Sequence, residues 1–392
     1  MTLVTPEQHG AKAHSDGGWD GAARRVPVQT RSERFRSAVH AEFPAVTGRE
    51  VDWKLSPVDR LRDLIDGELD GSAYAFEAPE VEGVSIEWVA RDAEGIGAAG
   101  LPEDRASANA WSSFERALRI RVEGETQPVS ISRAALDARA RGAHVLVEAA
   151  PHSSGLVVLD SRGPAKLVEN VEIVVGEGAQ LTLVSVQGWD DDAIHLASHF
   201  ARIGRDARLK HIVVSLGGSV VRVNPSAHLA EDGADAEMLG LYFSDAGQHL
   251  EQQVYVFHDA PHSKSRVTYK GALNGAGARS VWIGDVLIGR EATGTDSYEQ
   301  NRNLVLSDGT RADSIPNLEI ETGDIAGAGH ASATGRFDDE QLFYLQARGI
   351  EEAEARRLVV LGFLSEVVQQ IGEPELETRL QAALVAELEA AR

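Results

Sequence analysis

At 392 residues and 43% hydrophobic content the chain can bury a sizeable core and hold two or three structural units, which excludes wholesale disorder. A formal charge of -23 repels the backbone of a polyanion, so nucleic acid is excluded as a partner. The absence of Cys excludes disulfides, thiolate nucleophiles and any Cys-ligated zinc or iron–sulfur site belonging to this chain alone.

Residues 1–30 are polar and aperiodic, carry His9 and His14, and read as a disordered arm. The opening lacks the apolar core of a signal peptide, and no run approaches the ~18 apolar residues of a membrane helix. The expectation is a cytoplasmic protein with no membrane partner. An apolar stripe through Phe35, Ala38, Val39, Ala41 and Phe43 predicts a helix over 31–43, stopped by Pro44. Ser56 followed by Pro57 caps a second helix through Leu61 and Leu64, with Trp53 packed on this pair. A strand over 85–90 and a helix over 107–117 complete a mixed, mostly helical first domain spanning 31–117.

Within that domain Gly95-Ile96-Gly97-Ala98-Ala99-Gly100 reproduces a dinucleotide-binding fingerprint letter for letter. Its setting argues against a cofactor: the glycines do not directly follow the strand, Pro102 breaks whatever starts after them, and no strand ending in an acid follows. A flexible connector is expected.

From Leu118 the texture changes to short strand-like runs, among them 119–122, 144–147, 155–159, 171–175, 181–186, 212–214 and 220–223. The procession continues through 266–269, 280–283, 303–306 and 317–320, with Asn274-Gly275, Gly294, Ser307-Asp308-Gly309 and Pro316 as turn chemistry. No fixed-length repeat is visible, so sandwich, propeller and β-solenoid stay open. Two features favour the solenoid. Runs such as 181–186 and 212–214 are apolar at consecutive positions, as in strands covered on both faces, and hairpin dipeptides are scarce.

From Asp338 the period becomes helical. A first helix with an acidic start ends at Gly349, a second covers 351–371 with Leu358, Leu361, Leu364, Val367 and Val368 on a broad apolar face, and a third follows Gly372 and Pro374. Together they make a C-terminal helical domain.

Several residue sets carry candidate chemistry. His195 and His199, behind Asp190-Asp191-Asp192, have helical metal-ligand spacing, against a plain reading as ordinary histidines by an acidic turn. His258 and His262 flank Pro261, which prevents a helix, so a hydrogen-bonded loop at a strand end is expected. Neither a P-loop nor a nucleophile elbow occurs. Asp285, Asp296, Asp308 and Asp313 could supply the paired carboxylates of a solenoid polysaccharide enzyme, although such residues are commonly turn formers. His330 lies in Gly327-Ala328-Gly329-His330-Ala331-Ser332-Ala333-Thr334-Gly335, read as a glycine-rich loop whose small neighbours leave the imidazole open to iron or zinc.

The run from His258 to Ile350 resembles the core subunits of the SUF iron–sulfur cluster assembly system, closer to the SufD branch than to SufB. The carrying blocks are Tyr269-Lys270-Gly271-Ala272-Leu273, Gln300-Asn301-Arg302-Asn303-Leu304-Val305-Leu306-Ser307 and Ala312-Asp313-Ser314-Ile315-Pro316-Asn317-Leu318-Glu319-Ile320. Gly329-His330-Ala331-Ser332-Ala333-Thr334-Gly335 and Asp339-Glu340-Gln341-Leu342-Phe343-Tyr344-Leu345-Gln346-Ala347-Arg348-Gly349-Ile350 follow in the family's order. Trp53-Lys54-Leu55-Ser56-Pro57 adds a shorter N-terminal similarity.

The resemblance implies a mainly β protein: a right-handed parallel β-helix core over 118–335, between the mixed N-terminal domain and an α-helical C-terminal domain over 336–392. It implies a non-catalytic scaffold subunit that pairs with a SufB-like subunit through the core. The C-terminal helices would dock the SufC ATPase, where ATP hydrolysis would reside. No cofactor is expected to be stably bound; iron or an iron–sulfur cluster would pass transiently at the SufB interface, with His330 as the interface ligand. Pairing with a second copy when SufB is absent is left open. Ala328-Gly329-His330-Ala331-Ser332 departs from the usual Cys-Ser-His-Gly-Ala, Asn301 stands where SufB has a cysteine, and Ala331 where SufB has a glutamate. Sulfur acceptance would then belong to the partner. Two other readings are a carbohydrate-active β-helix enzyme and a SufD homologue that keeps only an assembly role.

Overall fold

A computed structural model describes residues 34–134, 136–336 and 339–390. The expected arm over 1–30 lies outside the described residues. Helix α1 (Val58–Asp66), strand β1 (Val84–Ala90) and helix α2 (Arg105–Ser113) precede a long series of strands. These are β2 (Arg116–Val122), β3 (Val129–Arg133), β4 (Ala140–Ala149), β5 (Ser154–Gly163), β6 (Lys166–Val175), β7 (Gln180–Trp189), β8 (Ile194–Ile203) and β9 (Arg208–Ser215). There follow β10 (Val220–Leu229), β11 (Asp235–Ser244), β12 (His249–His258), β13 (Lys264–Leu273), β14 (Arg279–Ile288), β15 (Thr295–Val305), β16 (Arg311–Ile320) and β17 (Ile325–Gly335). Helices α3 (Asp339–Gln346), α4 (Glu352–Val368) and α5 (Pro374–Ala390) close the chain.

Each strand from β2 onward pairs in parallel with the strand two places later, so the chain coils between two facing sheets. Even-numbered strands and β1 form a nine-stranded sheet, odd-numbered strands an eight-stranded one, and the architecture is a parallel β-helix. Identical side-chain positions stack from coil to coil, as Val223 does on Ala197 and Gln252 on Val223. Coil length is not constant. The register places Ala140 beside Lys166, 26 residues on, but Arg279 beside Arg311, 32 residues on, which is why no fixed repeat shows in the sequence.

The turns form ladders of their own. His152, Asp206 and His262 adopt φ of 60°, 52° and 55°, and Gly178, Gly233 and Gly294 take the same left-handed conformation at equivalent turns. Each donates its N–H to the turn of the next coil, for example Asp206 to the Asp232 carbonyl at 3.0 Å and Gly233 to that of Pro261 at 3.1 Å.

The core is double. Inside the solenoid, Leu118, Ile120, Val145, Leu183, Val213, Val254 and Trp282 stack in one continuous apolar column. Outside the eight-stranded sheet, Val184, Ile212, Val214, Leu241 and Phe243 are covered by Val360, Leu364, Val367, Leu380 and Leu384 of α4 and α5. Outside the nine-stranded sheet, Val168, Leu196 and Val220 are covered by Trp53, Leu61, Leu64 and Ile65. Both faces of the middle strands are therefore buried, the physical reason for their consecutive apolar residues.

Some expectations change. The helix over 31–43 is replaced, where the chain is described, by irregular backbone and a short 3-10 turn (His40–Glu42). Phe35 remains exposed, with its ring edge-on to buried Phe43 at 5.0 Å, so the apolar spacing serves a turn rather than a helix. The helix expected over 107–117 is α2, capped by the Asp104 carboxylate, which accepts from the Ser107 N–H at 2.8 Å. The Gly95–Gly100 segment is a turn whose Gly97 and Ala99 N–H groups donate to the buried Glu172 carboxylate at 2.8 and 3.2 Å. The anion cradle is real, but a side chain of this chain fills it.

Candidate functional site at the open end of the solenoid

Beyond β16 and β17 no described strand follows, so both sheets stop at unpaired edges on the same end of the molecule. An edge strand presents N–H and C=O groups without partners, the template for strand addition. The two edges are guarded unequally, since β16 carries Arg311, Asp313, Pro316 and Glu319. β17 carries no Lys, Arg, Asp or Glu, and Ile320 at the end of β16 is 41% exposed. Pro316 sits within β16, tolerable where no neighbouring strand requires its missing N–H.

The run around His330, expected to be a loop, is strand β17, paired with β15. Small residues favour neither structure by hydropathy, and the ladder with β15 decides for strand. In register, Glu299 lies beside His330 and Asn301 beside Ser332. Ala328 packs against the solenoid core and the Ser332 hydroxyl meets Ser314 at 2.9 Å, so alternation turns His330 toward the lumen as well. It stays exposed because no further coil covers it.

Beneath His330 the lumen is polar. Asn301 donates to the Tyr242 hydroxyl at 3.1 Å and to the Tyr269 carbonyl at 3.2 Å. Its amide oxygen accepts from Asn303 at 2.7 Å and from Ser314 at 2.8 Å. Asn301 is thus a fully satisfied structural amide. Glu299 is 1% exposed, and neither carboxylate oxygen has a hydrogen-bond partner among the described residues. Burial first, and the charge of Asp285 second, push its pKa up to about 8, against a weaker pull from the Asn317 backbone. Glu299 was not legible beforehand. In Ser297-Tyr298-Glu299-Gln300-Asn301-Arg302-Asn303 every position is polar or amphipathic, so hydropathy cannot tell lumen from solvent.

The other candidates go elsewhere. His195 and His199 lie on strand β8, not on a helix, and both are buried. Glu169 bonds His195 Nε2 at 2.9 Å, while Trp189 donates to its Nδ1 at 3.2 Å, a pattern that fits the neutral Nε2–H tautomer. Burial opposes ionisation of Glu169, but Arg133 and His195 outweigh it and hold the carboxyl far below its usual range. His199 meets His211 at 2.8 Å, and burial drives both imidazoles below their ordinary range, His211 to about 4. His258 closes β12, bonded to the Ser263 and Ser265 hydroxyls at 2.8 and 2.9 Å, and His262 in the following turn meets Asp232 at 2.9 Å.

Nor do the four aspartates converge on a shared groove. Asp285 accepts from Asn317 at 2.7 Å beside Arg34, Asp296 pairs with Arg266, Asp308 with Arg336, and Asp313 with Arg279 and Arg311. Among the described residues no group of three or more His, Asp or Glu is placed to hold a metal ion. No described helix is long and apolar enough to cross a membrane. On α3, Phe343 and Tyr344 are 71% and 57% exposed.

The fold and its end define a class: a two-sheet parallel β-helix, jacketed on both outer faces, whose sheets stop at the open edges of β16 and β17. Residues 132–363 match a family model described as SUF system FeS cluster assembly, SufBD core domain. An iron-sulfur cluster assembly SufBD family protein of Mycobacterium tuberculosis H37Rv is 49% identical over 373 residues, covering 92% of this chain and 94% of that protein. One of Mycobacterium leprae is 47% identical over 358 residues, covering 88% and 91%. A second SufBD family protein of Mycobacterium leprae is 28% identical over 201 residues, which span 51% of this chain and 23% of that protein. The chain belongs to the SufBD family of iron–sulfur cluster assembly proteins.

Proposed function

We propose that this chain is the SufD-type half of a cytoplasmic SufB–SufC–SufD scaffold. A SufB-like subunit adds its own edge strands to β16 and β17, and a SufC ATPase docks on the C-terminal helices. The chain itself catalyses nothing; ATP hydrolysis belongs to SufC, and iron or a nascent cluster is a substrate passing the interface, where His330 is a ligand. The single observation that carries this reading is the charge-free edge strand β17 at the end of a solenoid jacketed on both outer faces. The occurrence of two SufBD proteins in one relative's organism, one full-length match and one distant, supports a pair of unlike subunits. A chain confined to an assembly role would share these features, and the lack of any Cys keeps that reading in view. A polysaccharide enzyme is disfavoured by the separate pairing of its four candidate aspartates.

Co-expression with the cognate SufB and SufC, followed by size-exclusion with light scattering, tests the assembly. Truncation at Arg336 would uncover Val184, Ile212, Val214 and Phe243, so it confuses docking with folding. Phe343→Ser with Tyr344→Ser is cleaner, since both side chains are exposed. The expected result is a ternary complex that loses SufC in the double variant and keeps SufB. A full-length chain that runs alone beside both partners overturns the proposal.

A further inference from the structure

The lumen of the last coils holds an unused acid. Glu299 leaves β15 and crosses to the opposite sheet, where Gly284 of β14 has no side chain; a Cβ there would lie 2.4 Å from Glu299 Oε2 and 2.3 Å from the Trp282 ring. Gly284 thus makes the room that Glu299 occupies. The indole Nε1 of Trp282 is likewise buried without a partner. A carboxyl that is 1% exposed, with no side-chain partner and only the weak pull of the Asn317 backbone, is a costly thing to keep for packing alone.

What lies next to it gives it a use. His330 is its register partner on the last strand, on the same lumen side, about 4.8 Å away between backbones as neighbouring strands are. Ala328 and Ser332, both small, flank His330 on that side. Asp285, across the nine-stranded sheet, adds negative charge; its cation Arg34 sits on the outer side, 3.5 Å from Asp285 and stacked 3.5 Å over Tyr255. The lumen end thus carries one oxygen donor and one nitrogen donor on adjacent rungs.

We infer that Glu299 and His330 together form half of a divalent-cation site, Glu299 supplying oxygen from below and His330 nitrogen from the last rung. The remaining positions face outward, to water and to whatever subunit covers the end. An imidazole–carboxylate pair suits a borderline first-row cation such as ferrous iron better than calcium or magnesium, which prefer all-oxygen shells. The inference rests on the reading of His330 as an interface ligand and deepens it, by naming a second donor that this chain provides without a thiol. It also gives the buried acid a charge partner that the polypeptide does not.

The test uses the full chain and Co2+ as an optical probe, followed by its visible absorption at pH 7. Co2+ is expected to bind, and both Glu299→Gln and His330→Ala are expected to weaken binding about ten-fold or more. The double variant should bind no more weakly than the worse single variant, because both donors serve one ion. Absorption that persists unchanged in both variants would belong to the exposed pairs His228 with Asp259 and His262 with Asp232, and would overturn the inference. So would loss in His330→Ala with Glu299→Gln unchanged, since Glu299 would then be no ligand. If Glu299→Gln melts early, Glu299→Asp, which keeps the carboxylate, must retain Co2+ binding above that of Glu299→Ala, and equality of the two counts against the site. Complex formation by light scattering is a separate readout: an assembled complex with no Co2+ site rejects this inference alone, whereas a Co2+ site in a chain that never assembles rejects the scaffold.

Discussion

Glu251 is where the N-terminal cover is fastened to the solenoid, and replacing it with Gln isolates the worth of one buried charge. Its carboxylate, fully buried on β12, accepts from the Ser56 hydroxyl at 2.8 and 2.9 Å, from Arg222 Nε at 3.1 Å and from His249 at 2.9 Å. Arg222 in turn bonds Asp104 at 2.9 Å and stacks 4.0 Å over Trp53. Burial opposes the charge on Glu251, yet the His249 bond and the Arg222 charge outweigh it and hold the pKa down to about 2, from an ordinary 4.5. A depressed carboxylate stabilises the fold above its unfolded pKa and loses that contribution as pH falls toward the folded value. A displacement of this size corresponds to about 3 kcal/mol at neutral pH. Glu251→Gln should therefore lose about 3 kcal/mol at pH 7, read as a lower denaturant midpoint and faster hydrogen exchange in α1. The gap from the parent chain should shrink as pH falls from 4.5 toward 2. A gap below about 1 kcal/mol at pH 7, or one that widens on acidification, refutes the assignment of Glu251 as the charged fastening.

Three further outcomes are expected. Arg133→Met strands the buried Glu169 carboxylate in the lumen and should cost about 3–5 kcal/mol by denaturant titration, much of it recovered when Glu169→Met is added. Gly271→Ala places a Cβ 1.9 Å from the Tyr242 ring and should cost about 1–3 kcal/mol while weakening the Tyr242–Asn303 bond of 2.5 Å, seen as a lower melting temperature and a changed tyrosine environment. Ile320→Lys with Ala326→Lys, both exposed at the open edges, should leave stability within about 0.5 kcal/mol and abolish pairing with a SufB-like subunit in light scattering.

The solenoid was legible wherever hydropathy carried the information. Runs such as 181–186 and 212–214 proved to be strands buried on both faces, because α4 and α5 cover one sheet and the segment around Trp53 covers the other. The three C-terminal helices also announced themselves by a 3.6-residue period. Legibility failed where side-chain size and polarity no longer mark direction. His330 looked like a loop residue because glycine and alanine describe a flat edge strand as well as a turn. The Gly95–Gly100 fingerprint correctly signalled N–H groups arranged for an anion, but a short motif cannot say that the anion is Glu172 of the same chain. Likewise His195 and His199 had the right spacing for a metal, and their buried partners Glu169 and His211 come from other coils, which spacing along one strand does not reveal.

The change in lumen chemistry along the solenoid ties these observations together. At its start the column is Leu118, Ile120 and Val145; at its end it is Glu299, Asn301, Asn303, Ser314 and His330. A β-helix that ended in an apolar lumen and bare edges would stack on any similar end, the geometry of aggregation. A polar lumen changes the balance. Backbone pairing alone still favours strand addition, but covering the exposed His330 and Ser332 with an apolar coil would take an imidazole and a hydroxyl out of water with no new partners, each at a cost of about 1–3 kcal/mol. Only a partner whose own last coil supplies matching donors and acceptors avoids that cost, so the same residues that make the end soluble also select what can close it. The polarity of the exposed last rung is then the specificity element, and a variant such as Ser332→Leu should broaden the range of ends that bind before it weakens the native one.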